Sequence, residues 1–249
     1  DLTLETYSTS VAMSRFEVGE DPDWKSTSAD YLRGEFLEVM SQHGPGMLMM
    51  MPDGQPIPLP EDEIEPLVYK MADEIGDSLW FCFDIAEKAR ILVPGAVMQS
   101  LRKINADVAE PTASFKDIET AAIKYASDIK VLTKAGLMLK DTMDHDLRYT
   151  SLRQNPSYPY IRSLSRLIKV LHDDPAPIPT ATDLEPTMSL PYALGDYLLI
   201  TAYIARRSLG VGFESIARFN MDKLSHRQKF GKSEDLQFGE WFKEPLRFS

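Results

Sequence analysis

The sequence predicts an all-α protein, a helical bundle of about seven or eight helices, on three observations. Apolar residues recur at three- and four-residue intervals along most of the chain, as on one face of a helix. No stretch alternates apolar and polar residues between hairpin turns, as a half-buried strand would. Proline and glycine clusters fall between the periodic segments and separate them.

The first helix is expected over residues 3–16, with Leu4, Tyr7 and Val11 on one side. Residues 21–28 read as a polar, proline-containing break. Ser28 or Asp30 then caps a second helix over 31–42, whose apolar stripe is Leu32, Phe36, Val39 and Met40. His43-Gly44-Pro45-Gly46 reads as its stop. Residues 46–60, with four prolines and a methionine-rich run from Met47 to Met51, read as a loop or lid. A long helical segment is expected over 61–90, with Pro66 permitting a bend. Pro94-Gly95 and Pro111 punctuate the chain after it. Further helices are expected over 115–145, 160–172, 194–209 and 213–227. The third of these is apolar nearly all round, as in a helix buried within a bundle. Residues 173–191, rich in Pro, Thr and Asp, read as a linker, and the tail to residue 249 as polar with scattered aromatics.

Composition narrows the function. A chain of 249 residues with 43% hydrophobic content can bury a sizeable core. Its apolar runs are too short to span a bilayer, and its first residues show no leader pattern, so no membrane partner and a cytoplasmic location are expected. One cysteine, Cys82 between Phe81 and Phe83, excludes an internal disulfide framework and reads as a small core residue. A net charge of −11 opposes binding to nucleic-acid polymers, which depends on Lys and Arg neutralising phosphates. A small phosphate compound remains within reach if a divalent cation bridges it to clustered carboxylates.

Two acidic pairs fit that chemistry. Glu35 and Glu38 stand three residues apart, on one face of a helix, and Glu74 and Asp77 repeat the spacing on another. Like charges so placed repel unless a cation or base lies between them. Two such helices side by side would bring four carboxylates to one point, suited to Mg²⁺ with Mn²⁺ as a substitute. The plain alternative is a solvated helix face, because acidic pairs at this spacing are common there.

The run Asp73-Glu74-Ile75-Gly76-Asp77-Ser78-Leu79-Trp80-Phe81 resembles the second metal-binding helix of the MazG-type all-α NTP pyrophosphohydrolase superfamily. Gly34-Glu35-Phe36-Leu37-Glu38 resembles that family's first motif, Gly-Glu-x-x-Glu. Residues 213–227, with Asn220, Lys223, Leu224 and Arg227, resemble its closing Asn-x-x-Lys-Leu-x-x-Arg. The resemblance implies an all-α fold and Mg²⁺-dependent hydrolysis of a nucleoside triphosphate to monophosphate and pyrophosphate. It implies Glu35, Glu38, Glu74 and Asp77 as catalytic metal ligands, and Asn220, Lys223 and Arg227 as contacts to nucleotide or phosphate. The chain departs from the family pattern in a longer gap between the acidic motifs and a long insertion before the closing helix.

That insertion contains an echo. Residues 193–210 lie over 74–91 so that Gly76, Asp77 and Leu79 meet Gly195, Asp196 and Leu198. More faintly, Tyr31-Leu32-Arg33 meets Tyr160-Ile161-Arg162, which sets Glu35 and Glu38 on Leu164 and Leu167. Duplication with loss of acidic residues accounts for both, as does chance likeness between amphipathic helices. On the first account residues 1–110 form a half carrying the acidic motifs, and 111–249 a degenerate half with the closing basic helix, in one unit.

Among other side chains, Trp24 sits in a polar segment before the first acidic helix and is a candidate to stack on a base. Trp80 and Phe81 read as core, and Asp84 as a surface residue or an outer acid of the site. The expected partner is a nucleoside triphosphate, with a homo-oligomer, a dimer, for the chain itself. A catalytically silent helical module that senses nucleotides or binds proteins is the rival reading. A hydrolase of the same scaffold acting on another pyrophosphate-bearing metabolite is the third.

Overall fold

A computed structural model describes residues 2–15, 23–48, 61–104, 113–125, 158–172, 189–207, 209–231, 236–244 and 246. These residues are helical with no strand among them, as the sequence predicts. In order the helices are α1 (Leu4–Ser14), α2 (Trp24–Leu48), α3 (Glu61–Lys88), α4 (Val93–Ile104), α5 (Phe115–Lys124), α6 (Tyr158–His172), α7 (Leu190–Arg207), α8 (Phe213–Phe230) and the single turn α9 (Phe238–Trp241). None of them is long and apolar enough to cross a membrane.

Two helix starts are tied together. The Thr3 hydroxyl caps α1 by accepting from Thr6 N–H, and Ser114 caps α5 in a reciprocal box with Asp117. The two cap residues face each other in one antiparallel bridge. Leu4 N–H donates to the Ala113 carbonyl at 2.9 Å and Phe115 N–H to the Leu2 carbonyl at 3.3 Å. Backbone groups that helix starts leave unsatisfied are thereby paired with one another.

Three boundaries differ from expectation. The second helix begins at Trp24, so Ser28 and Asp30 lie inside it and cap nothing; Ser28 is buried. Its backbone also continues through Gly44-Pro45-Gly46 to Leu48, because a proline forfeits one backbone hydrogen bond without obliging the chain to leave the helix. Pro66 is likewise accommodated within the unbroken α3. The helix expected over 115–145 ends at Lys124, where the Tyr125 N–H closes back on Ala121; the remainder of that span lies outside the described residues. Of the loop expected at 46–60, residues 46–48 belong to α2, and of the linker expected at 173–191, residues 190–191 open α7; 49–60 and 173–188 lie outside the described residues. α4 was hidden by Pro94-Gly95, which fall in its first turn, where a missing N–H costs nothing. The aromatic tail also packs, with Phe238 and Phe242 buried against α3.

One apolar core draws on every helix, with Tyr7, Leu32, Ile75, Leu79, Phe83, Phe115, Leu164, Tyr197, Phe213 and Phe219 fully buried. α7 is buried on nearly all sides, as its composition requires. α2 lies between α3 and α6, and α6 packs in turn on α7. α4 closes on α7 and α8 closes on α3, each meeting a glycine at the crossing. A Cβ at Gly195 would be driven into the Ala96 carbonyl, with the Ser100 hydroxyl oxygen 2.6 Å away. One at Gly76 would stand 3.2 Å from Asn220 Cβ. Backbone cannot step aside, so Gly195→Ala is expected to lower stability by about 1–3 kcal/mol in urea unfolding. Gly34→Ala, with nothing within 4 Å of the added methyl, is expected to be neutral or to add up to about 1 kcal/mol. Equal midpoints for the two variants would contradict this packing.

Candidate functional site

The acidic pairs meet as the spacing requires. α2 and α3 run antiparallel, so each step forward on α2 matches a step back on α3. The lowest rung sets Glu38 against Glu74, the next Glu35 against Asp77, and the third stacks Tyr31 on Phe81 with ring centroids 5.3 Å apart. Carboxylate oxygens of Glu35, Glu74 and Asp77 all lie within 4.8 Å of one another. Glu38 is more exposed and acts on Glu74 through its charge.

Electrostatics registers the crowding. Burial, then the charges of Asp77, Glu38 and Glu74, push the Glu35 pKa up to about 8. Burial and the carboxylates of Glu38, Asp77 and Asp73 raise Glu74 to about 7. Glu35 Oε2 is buried with no hydrogen-bond partner. An orphaned carboxylate oxygen in a cluster of hard oxygen donors fits a divalent cation such as Mg²⁺ or Mn²⁺. Sulfur and imidazole donors are absent from the cluster, which disfavours zinc.

One cation is already supplied by the chain. Lys223 of α8 is buried, and its Nζ donates to Asp73 and, at 2.8 Å, to Asp77 Oδ2. Burial would lower its pKa, but the Asp77 and Asp73 carboxylates outweigh that and hold it above the ordinary value. Asn220, one turn earlier, is fully buried and donates from Nδ2 to Asp77 Oδ1 at 3.0 Å. Its own Oδ1 accepts from the Tyr7 hydroxyl at 2.8 Å. Gly76 permits this approach of α8, because a side chain there would push on Asn220. Arg227, a turn beyond Lys223, acts on Asp73 by charge.

Of the residues singled out from sequence, Glu35, Glu38, Glu74, Asp77, Asn220, Lys223 and Arg227 therefore come to one place. Trp24 is half-buried against the core at the start of α2. Trp80 donates its indole N–H to Ser14 Oγ at 2.7 Å and meets Phe81 edge-on. Asp84 is neither an outer acid of the cluster nor a surface residue: it is buried and paired with Arg15 and, at 2.9 Å, with Lys88. The reason is that α1 ends directly over it and delivers Arg15. Two residues of the site were missed. Asp73 stands one turn before Asp77, a visible signal, whereas Tyr7 read only as a member of an apolar stripe.

Comparison with models of known families, with curated proteins and with solved structures returns no match to this chain.

The raised carboxylates determine a pH dependence in the metal-free protein. An unfolded chain releases these protons near pH 4.5, while the folded chain still holds them on Glu74 to about pH 7 and on Glu35 to about pH 8. The folded state then binds more protons, so stability falls as pH rises through that window. Melting in chelator is expected to show a declining temperature from pH 5 to pH 8, and Glu35→Gln a flatter profile. A wild-type profile that rises over that range would contradict the buried placement of Glu35.

Proposed function

We propose that the chain is a divalent-metal-dependent pyrophosphohydrolase of nucleoside triphosphates, built on a scaffold like that of the MazG-type superfamily. The observation that carries this reading is the convergence of Glu35, Glu74 and Asp77 around a buried, unpartnered oxygen of Glu35. A bound Mg²⁺ would neutralise phosphate oxygens and make a water more acidic. The chain's own part is positioning. Asn220 and Lys223 hold one oxygen each of Asp77, and the buried Lys223 offsets part of the cluster's negative charge. Tyr31, more than half exposed beside the carboxylate rungs, offers a ring face to a base, which favours a nucleotide over bare pyrophosphate. Hydrolysis in this reading breaks the anhydride between the α- and β-phosphorus atoms and releases monophosphate and pyrophosphate.

We further infer that the two halves, 1–110 and 111–249, descend from a duplication. Exchanging α1, α2, α3 and α4 for α5, α6, α7 and α8 turns the pair α1–α3 into α5–α7, α2–α3 into α6–α7, and α8–α3 into α4–α7, all of which pack. The caps Thr3 and Ser114 and the crossing glycines Gly76 and Gly195 correspond in the same exchange. In the second half, buried Leu164 and Leu167 stand where Glu35 and Glu38 would be, and buried Asp196 pairs with Arg166 at 3.4 Å. Among the described residues this leaves one candidate metal centre.

Three outcomes are expected. Mg²⁺ or Mn²⁺ raises the melting temperature by mass action, and Glu74→Gln loses that shift. A full metal response in the mutant would remove Glu74 from the centre. Across a panel of nucleoside triphosphates with Mg²⁺, pyrophosphate is released in preference to phosphate, and Asp77→Asn cuts turnover by about 10²-fold or more. Because Asp77 accepts from both Asn220 and Lys223, that variant is also expected to melt lower than wild type. Folded Asp77→Asn with near-normal turnover would defeat the catalytic reading. Metal binding without turnover on any triphosphate would favour the silent nucleotide-sensing module.

A further inference from the structure

The geometry points to Tyr7 as a positioning residue of the carboxylate centre, acting through Asn220 on Asp77; this rests on the metal-centre reading above. Tyr7 lies on α1, far in sequence from either acidic motif, and its side chain is fully buried. Its ring is held edge-on by Phe83, at 4.7 Å between centroids, and by Phe115, at 5.1 Å. Its hydroxyl is therefore fixed in direction, and it meets Asn220 Oδ1 at 2.8 Å.

The Asp77 carboxylate, which only accepts, decides which way the Asn220 amide faces, and the Tyr7 hydroxyl, which can donate or accept, pins the amide's other end. A carboxamide presents a donor on one side and an acceptor on the other. With Nδ2 toward Asp77, the amide donates to Asp77 Oδ1 at 3.0 Å while its oxygen accepts from Tyr7. The reverse orientation would set a carbonyl oxygen against a carboxylate and leave a buried repulsion, so the carboxylate selects the arrangement and the phenol anchors it. Removing the phenol leaves Asn220 Oδ1 buried without its donor. The amide is then held at one end only and can tilt, and the donor that sets the plane of Asp77 Oδ1 loses its fixed direction. Lys223 alone, a rotatable ammonium on Oδ2, does not fix a plane. Groups that orient metal-binding side chains in this way typically change metal affinity or activity by about 10- to 100-fold when lost.

The test is titration of the full chain with Mn²⁺, followed by electron paramagnetic resonance of the free ion. Wild type is compared with Tyr7→Phe, Asn220→Ala and the double variant. Tyr7→Phe keeps the ring and its edge contacts, and Tyr7→Met supplies a second donor-free side chain if the first does not fold. Tyr192→Phe, a buried tyrosine of the second half linked to Asp196, controls for the loss of any buried hydroxyl. Tyr7→Phe is expected to weaken Mn²⁺ binding by about 10-fold or more, Tyr192→Phe to leave it unchanged, and the double variant to bind no more weakly than Asn220→Ala. Wild-type affinity in folded Tyr7→Phe, or a further loss on adding Tyr7→Phe to Asn220→Ala, overturns the role of Tyr7 and leaves the metal centre standing. Wild type that binds no Mn²⁺ overturns the metal centre itself, and Tyr7 is then a packing residue.

Discussion

The contact on which the rest of this molecule depends is Lys223 between Asp73 and Asp77. Three acidic residues of α3 share a half-buried face with Glu35 of α2, and four carboxylates cannot all be ionised there without a compensating charge. The chain answers in two ways. It brings one ammonium from α8 to Asp73 and Asp77, and it keeps protons on Glu35 and Glu74. The first answer is permanent and structural, and it obliges α8 to close tightly on α3, which in turn obliges Gly76. The second is exchangeable, because a proton yields its place to a divalent ion. Removing the ammonium would leave Asp73 and Asp77 with no countercharge at a half-buried position, and breaking a desolvated ion pair by removing one partner is costly.

The helical class was legible from the sequence because burial of one face leaves its period in the residues. Ile75, Leu79, Phe83 and Ala86 are buried opposite Glu74 and Asp77, as their spacing states. The meeting of Glu35 with Glu74 and Asp77 was legible only as spacing on two separate helices. Their facing depends on the antiparallel packing of α2 on α3, which no local pattern records. Boundaries were misread where proline was taken as a stop: Pro94 lies in a first turn, and Pro45 inside a helix that continues. The partners of Asp77 illustrate the remaining limit. Lys223 and Asn220 carried a pattern of their own, but Tyr7 is an aromatic residue on an apolar stripe, and only packing shows that its hydroxyl meets an amide.

In the proposed duplication, the two halves would meet the same packing problem with different chemistry. Around Asp77 the chain keeps carboxylates and compensates them with a lysine, whereas around Asp196 leucines fill the space and Arg166 compensates the remaining acid. An apolar filling is the more stable solution for a buried site, since it carries no desolvation cost. Retention of Glu35 and Glu74 in an expensive environment in one half therefore has no account in stability alone. Both sites lie beside a crossing of one helix on a glycine of another, α8 on Gly76 and α4 on Gly195.

Tyr7 and Asn220 lie 213 residues apart in sequence, as far as the chain's length nearly allows. Their hydrogen bond joins α1 to α8. A ribosome must therefore release α8 before the lysine that neutralises Asp77 can arrive. Until then Glu35, Glu74 and Asp77 belong to a nascent chain in which no ammonium or amide has reached them. Contacts of this span also close late in refolding, since the entropy of joining distant segments must be met first. Completion of the carboxylate cluster therefore waits on the synthesis of α8.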